Sequence, residues 1–98
     1  MSQELVETWS PHVYLVILYG PAECTIISVA WEGIKSSDDP CIIRRGIGSI
    51  LWIVDTNDHN RLAPVGAVGE LVIEGLILAR GYLNDEPRTE RSFIENPA

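Results

Sequence analysis

The residues best suited to chemistry lie in one short segment, residues 18–25, which reads LYGPAECT. A glycine there removes side-chain bulk, and the proline after it fixes the next backbone angle. Tyr19 and Glu23 are therefore expected close together at the carboxyl end of a predicted strand, the edge at which open α/β sheets bind ligands. The Tyr19 ring could stack on a flat base, and a Glu23 oxygen could bind a hard cation such as Mg²⁺. The structural alternative places Tyr19 in the core and Glu23 in the first turn of a helix.

Other candidate sites are less well supported by their residues. Cys24 and His59 could act as a nucleophile and its base, but no third group orients them, and a buried hydrophobic role for Cys24 is favoured. The two cysteines, Cys24 and Cys41, lack C-x-x-C spacing, which argues against a zinc site and against a disulfide framework. Gly46 and Gly48 lack the third glycine of a dinucleotide-binding loop.

The elements that position the 18–25 segment follow from the apolar pattern. Ser2 is expected to cap a helix from Gln3 to Ser10, which the proline that follows ends. The run from Val13 to Leu18 is continuous, β-branched and aromatic, which predicts a strand buried on both faces. Residues 23–31 are a second apolar stretch, for which the pattern does not decide between helix and strand.

The second half of the chain is predicted to be mainly β. Strands are expected at residues 48–54 and 70–74, with a polar turn at residues 55–60 between them. Asp85 is expected to cap a short final helix that carries Pro87 in its first turn. The outline is therefore one helix and a buried strand, then a loop and a β-meander, in the α/β class.

Composition limits the classes of partner. The 98 residues are 46% hydrophobic and 21% charged, which is typical of one small globular domain or a piece of a larger one. The net charge of −7 repels phosphate backbones, so nucleic acid is not expected as the main partner. The apolar runs are too short to span a membrane, and the first residues lack the features of a signal peptide. A cytoplasmic chain with reduced thiols and no membrane partner is expected.

Two motifs resemble those of a known family. YGPAECT, residues 19–25, resembles the nucleotide-binding core motif of adenylate-forming enzymes, usually Y-G-P-T-E, with Ala22 in place of the usual Thr. GELVIEGLILARGYLND, residues 69–85, resembles a second core motif of the same family, and the order and spacing also match. The residues between the motifs and the trailing FIENPA, residues 93–98, resemble adenylation (AMP-binding) domains of fungal non-ribosomal peptide synthetases, so the resemblance covers the whole chain.

The resemblance implies a fold and a reaction. The fold is a fragment of the N-terminal domain of an adenylate-forming enzyme. Residues 1–40 would end its α/β sheet region, and residues 41–98 would belong to its barrel-like β-subdomain. The reaction is that of an ATP-dependent ligase of secondary metabolism. An amino acid is activated as its aminoacyl-AMP, with Mg²⁺ as cofactor, and then passes to a phosphopantetheine thiol on a neighbouring carrier domain.

The resemblance also implies roles for individual residues. Tyr19 would stack on adenine, and Glu23 would help to hold the metal ion. The second motif would hold the backbone in place without a reacting side chain, with Arg80 bonded to nearby carbonyls or carboxylates. The nucleotide-binding residues implied are Tyr19, Gly20, Ala22 and Glu23. The aliphatic wall of the amino-acid pocket would comprise Leu18, Ile26 and Ile27, for which a plain core role is the alternative.

Several parts of the family's catalytic site are expected outside these 98 residues. They are the glycine-rich phosphate loop, the ribose-binding aspartate and the lysine of the C-terminal subdomain. The chain is therefore expected to be an internal fragment that is inactive alone. Two alternatives remain open from the sequence: a non-catalytic interaction module that docks a strand edge onto a partner, and a non-functional remnant that does not fold stably.

Overall fold

The fold is a mixed α/β arrangement with two short helices and small antiparallel sheets. It is known from a computed structural model that describes residues 1–95, so the end of the FIENPA segment lies outside the described residues. The elements in chain order are α1 (Gln3–Trp9), β1 (Val16–Tyr19), β2 (Val29–Glu32), β3 (Ile50–Val54), β4 (Glu70–Glu74) and α2 (Glu86–Ser92).

Both helices begin where the sequence predicts. The Ser2 hydroxyl accepts a hydrogen bond from the Leu5 N–H at 3.4 Å, which confirms the cap of α1. Asp85 caps α2 by accepting from the Arg88 N–H at 3.2 Å, with Pro87 in the first turn. Each helix has only 7 residues, and no helix in the described part of the chain is long and apolar enough to cross a membrane.

The first sheet differs from the prediction. The run from Val13 to Leu18 was expected to form a strand buried on both faces, but β1 starts only at Val16 and the Leu18 side chain is 54% exposed. Within residues 1–95, β1 pairs only with β2, antiparallel, from Val16 opposite Glu32 to Tyr19 opposite Val29. A strand is buried on both faces only when a layer covers each face, and residues 1–95 do not supply these layers.

The second sheet confirms the predicted hairpin. β3 and β4 pair antiparallel, from Ile50 opposite Glu74 to Val54 opposite Glu70. The Trp52 indole N–H donates to the Glu74 carboxylate at 2.8 Å on one face of this pair. The two strands pair with each other, so closure into a barrel stays a prediction, as does the division of the chain at residue 40.

The surface of the molecule is large for its mass. The accessible area is 7636 Å², whereas a compact monomer of 10.9 kDa would have about 5,600 Å². The radius of gyration is 15.9 Å, compared with about 13 Å for a compact domain of this length. Within the described part of the chain the buried apolar side chains are few: Val6, Cys24, Val29, Ile34 and Val54. Many large apolar side chains are exposed instead, among them Leu18, Ile26 and Leu76.

Candidate functional site

The first motif forms the connection between β1 and β2. The chain turns at once after β1, where the Cys24 N–H donates to the Pro21 carbonyl at 3.0 Å. It returns to the sheet at Ser28, whose N–H donates to the Tyr19 carbonyl at 2.9 Å. The connection is therefore a closed loop with Tyr19 at its entrance.

The tip of this loop is strained at Ile26. Ile26 has a φ of 61°, a conformation that is unfavourable for a β-branched residue. The Ile27 N–H donates to the Thr25 carbonyl at 2.7 Å, which makes Ile26 the centre of a γ-turn with positive φ. The Ile26 side chain is 82% exposed as a result. Strain of this kind persists where the surrounding contacts hold the backbone, and it is concentrated at functional sites.

The second motif supplies those contacts. The Thr25 N–H and the Thr25 hydroxyl both donate to the Ile77 carbonyl, each at 2.8 Å. The Ala79 N–H donates to the Glu23 carbonyl at 2.7 Å, and Cys24 forms an isolated β-bridge with Leu78. The two motifs, which are far apart in sequence, therefore form a single hydrogen-bonded unit.

Glu23 and Tyr82 connect the motifs through their side chains. The Tyr82 hydroxyl donates to the carboxylate Oε1 of the half-buried Glu23. This hydrogen bond is the main reason why the pKa of Glu23 lies below its ordinary value, with further lowering by the Glu23 backbone N–H and by the Arg88 guanidinium. Desolvation opposes these effects but is outweighed. Glu23 is therefore a charged carboxylate at neutral pH.

The same contact changes the acidity of Tyr82. The hydrogen bond to Glu23, then burial, then the Glu23 charge raise the pKa of Tyr82, while Arg88 and Ser92 lower it less. Arg88 lies over the Tyr82 ring, 4.0 Å from its centroid, and Phe93 meets the ring edge-on at 6.2 Å. Tyr82 therefore stays protonated as the donor.

These two shifts predict a flat-topped dependence of stability on pH. The lowered pKa of Glu23 gives a stabilisation that is present above its ordinary value of 4.5 and is lost as the pH falls through the lowered value. The raised pKa of Tyr82 gives one that is present below its ordinary value of 10.0 and is lost as the pH rises through the raised value. Urea unfolding at a series of pH values should give a higher free energy of unfolding for the wild type than for Tyr82→Phe. This difference should become smaller at the acidic and the alkaline extremes. Tyr14→Phe, at an exposed tyrosine, should show no such narrowing.

The other residues implied for the site lie at the end of β1 or on the loop that follows it, with differing exposure. Tyr19 is 39% exposed, Ala22 is exposed, and Gly20 packs against the backbone at Ile26. Of the three expected pocket residues, Leu18 and Ile26 are exposed and Ile27 is half-buried. The loop therefore presents an aromatic ring, a carboxylate and aliphatic side chains within one short segment.

The structure also bears on the remaining candidates. Cys24 is 1% exposed, and burial, followed by the Glu23 charge, raises the pKa of its thiol. This favours the buried hydrophobic role, because a nucleophilic cysteine needs a lowered pKa. His59 lies in the turn between β3 and β4. The bonds expected of Arg80 to nearby carbonyls or carboxylates stay a prediction.

Sequence reasoning missed Tyr82, although it lies in the second motif. A signal was available, because Tyr82 is an aromatic side chain with a hydrogen-bonding group next to Gly81, within a recognised motif. Only the folded chain shows that its partner is Glu23.

Comparisons with known proteins agree with the two motifs. No protein-family profile matches the chain. Over its full length the chain is 52% identical to nonribosomal peptide synthetase 4 of Gibberella zeae. It is 48% identical, over 97% of its length, to nonribosomal peptide synthetase ecdA of Aspergillus rugulosus, and 46% identical, over 99%, to N-benzoylphenylalaninol synthetase apmA of Penicillium brevicompactum. The chain is homologous to a segment of fungal nonribosomal peptide synthetases.

This synthetase segment is small beside its relatives and has a solved structural counterpart. It spans 1%, 1% and 4% of the lengths of these three relatives, respectively. The fold matches PA1221, a nonribosomal peptide synthetase protein that contains adenylation and PCP domains, with a TM-score of 0.72 and 33% identity. The match covers 90% of the segment and 18% of the PA1221 chain. The segment thus has an adenylation-related synthetase fold.

Proposed function

We propose that this synthetase segment forms part of the nucleotide and amino-acid site of an adenylation domain, which activates an amino acid with ATP and forms an aminoacyl-AMP. The observation that carries the proposal is the hydrogen-bonded union of the two motifs. In it, Tyr82 holds the Glu23 carboxylate on the loop that begins directly after Tyr19. An aromatic ring and an ionised carboxylate on one short loop suit a nucleotide bound with its cation.

The residues present fit a Mg²⁺ ion that is bound together with ATP. Glu23 is an ionised oxygen ligand, as Mg²⁺ prefers. Residues 1–95 contain no group of three or more His, Cys, Asp or Glu side chains that could hold a metal by themselves. Magnesium commonly uses one or two carboxylates and takes its other ligands from phosphates and water. The ion would supply positive charge to offset that of the phosphates.

Each remaining loop residue has a matching role in the proposal. The Tyr19 ring stacks on adenine, Gly20 lets the backbone approach the nucleotide closely, and Ala22 is a further residue of the nucleotide site. Leu18, Ile26 and Ile27 form an aliphatic part of the amino-acid pocket, so the side chain of the substrate is apolar. The strained γ-turn at Ile26 supports this role because it directs an aliphatic side chain away from the loop.

The proposal also names the partners. The large exposed surface of the segment supports its burial against the rest of an adenylation domain, and the solved relative contains both adenylation and PCP domains. The activated amino acid would pass to a phosphopantetheine thiol on a carrier domain. We place this chemistry in the cytoplasm, without nucleic-acid or membrane partners.

Amino-acid-dependent ATP–pyrophosphate exchange tests the proposal. The assay uses the polypeptide in which residues 1–98 are naturally produced, called the native polypeptide, and a panel of apolar, polar and charged amino acids. Exchange with apolar amino acids is expected. Tyr19→Ala should raise the Kd for ATP roughly 5- to 150-fold, which corresponds to the loss of one stacking contact.

Tyr14→Ala is the matched control, because Tyr14 is an exposed tyrosine outside the loop. It should leave the affinity for ATP unchanged. A folded native polypeptide that shows no exchange with any amino acid, and in which Tyr19 is dispensable, would overturn the proposal and favour an interaction module.

A further inference from the structure

The Glu23 carboxylate is held by a second segment of the chain, and that segment is itself firmly fixed. The Tyr82 hydroxyl reaches Oε1 of Glu23 from the second motif. The backbone of Glu23 is fixed as well, since its carbonyl accepts from the Ala79 N–H at 2.7 Å. The Glu23 side chain is therefore restrained at its backbone and at its carboxylate oxygen.

The first turn of α2 fixes the backbone of Tyr82. The Tyr82 N–H donates to the Thr89 hydroxyl at 2.8 Å, and this hydroxyl lies 2.9 Å from the Asp85 carbonyl. The contact is close: a Cβ added at Gly81, where φ is 148°, would lie 2.6 Å from the Thr89 methyl group. Only glycine lets residue 82 approach the helix in this way.

Two further residues of the α2 region hold the Tyr82 ring. The Arg88 guanidinium covers one face at 4.0 Å, and Phe93 meets the ring at an interplanar angle of 71°. Cation–π and edge-to-face contacts of this kind fix the direction of a ring. Because the ring is fixed, the hydroxyl at its end points in one direction, toward Glu23.

We propose that Tyr82, held by Thr89 and Arg88 of α2, is the positioning residue that orients the Glu23 carboxylate toward the divalent cation of Mg·ATP. This inference rests on the proposed function, because it assumes that Glu23 meets a cation. The Tyr82 hydroxyl acts as an outer-shell partner of the metal ligand, and loss of such partners typically lowers metal affinity 10- to 100-fold.

A double-mutant cycle in the native polypeptide tests the proposal. The four proteins are the wild type, Tyr82→Phe, Glu23→Gln and the double variant. Electron paramagnetic resonance of free Mn²⁺ in the presence of ATP gives the affinity for the metal, and exchange kinetics give kcat and the half-saturating Mg²⁺ concentration. Tyr82→Phe should weaken metal affinity roughly 10- to 100-fold in the wild type and have no further effect beside Glu23→Gln.

Three results separate this inference from simpler roles of Tyr82. The half-saturating Mg²⁺ concentration should rise while the affinity for metal-free ATP stays unchanged, which a general loss of folded protein would not produce. Thr89→Val removes the acceptor for the Tyr82 N–H, so it should raise the half-saturating Mg²⁺ concentration, but less than Tyr82→Phe does. Thr89→Ser keeps the hydroxyl and should have the wild-type value. Tyr14→Phe, a matched hydroxyl deletion, should have no effect.

The outcomes that overturn the inference differ from those that overturn the proposed function. If Glu23→Gln weakens metal affinity and Tyr82→Phe does not, Tyr82 is not a positioning residue. The same holds if Tyr82→Phe has an equal effect in both backgrounds, since it would then act independently of Glu23. If the wild type does not bind the metal with ATP, or Glu23→Gln binds it as well as the wild type, the proposed function fails, and the inference with it.

Discussion

Replacing Gly20 with alanine is expected to lower the free energy of unfolding by about 3 kcal/mol or more. A Cβ at this position would lie 2.8 Å from both the carbonyl carbon of Ile26 and the Cα of Ile27, and closer still to the Ile26 carbonyl oxygen. All three atoms belong to the backbone of the strained loop, so no side chain can rotate away to make room. The change should be measured by urea unfolding, followed by fluorescence.

Gly66→Ala is the matched control for Gly20→Ala. Gly66 has a φ of 86°, but a Cβ there would meet nothing within 4 Å. This substitution carries only the conformational penalty of an alanine in the left-handed region, about 1 kcal/mol. A Gly20→Ala variant that is no less stable than Gly66→Ala would show that the close packing of the 18–25 segment against Ile26 is wrong.

Replacing Glu23 with glutamine is expected to lower the rate of ATP–pyrophosphate exchange by roughly 100-fold. Glutamine keeps the shape of the side chain and an oxygen that can accept from Tyr82, but it removes the negative charge. The lowered pKa of Glu23 means that this charge is present at neutral pH in the wild type. The loss should be measured in the native polypeptide, with Mg²⁺ varied at saturating ATP.

Glu32→Gln is the matched control for Glu23→Gln. Glu32 is an exposed carboxylate at the end of β2, outside the loop between the strands. The Glu32→Gln variant should catalyse exchange at the wild-type rate. This result would show that the loss in Glu23→Gln does not come from the lower net negative charge of the chain. Equal rates for Glu23→Gln and the wild type would contradict a role for Glu23 in binding the cation.

Local structure in this chain could be predicted from the sequence because short-range interactions determine it. Ser2 and Asp85 each accept a backbone N–H within their own first turn, so their capping roles depend on residues three positions away. The hairpin of β3 and β4 is similarly marked by apolar strands around a polar turn at residues 55–60. The resemblance to peptide synthetases could also be recognised from the sequence, because each motif is defined by the types and the order of its residues.

Burial was harder to predict, since it depends on elements beyond the local sequence. The apolar run ending at Leu18 is typical of a strand that is buried on both faces. It does not indicate which helices or sheets pack against those faces. β2 was missed for a related reason: residues 23–31 combine a tight loop with a strand, and the apolar pattern runs through both without a break.

The sequence by itself determined the caps and the β3–β4 hairpin, because residue type and short spacing are sufficient for each, and it predicts roles for Tyr19 and Glu23. The tertiary structure alone decided that Glu23 is held by Tyr82 and that Ile26 has a positive φ. Both features arise when the second motif docks on the first through the Ile77 and Ala79 backbone. Contacts between residues more than 50 positions apart leave no periodic pattern in the sequence, so they appear only when the chain is folded.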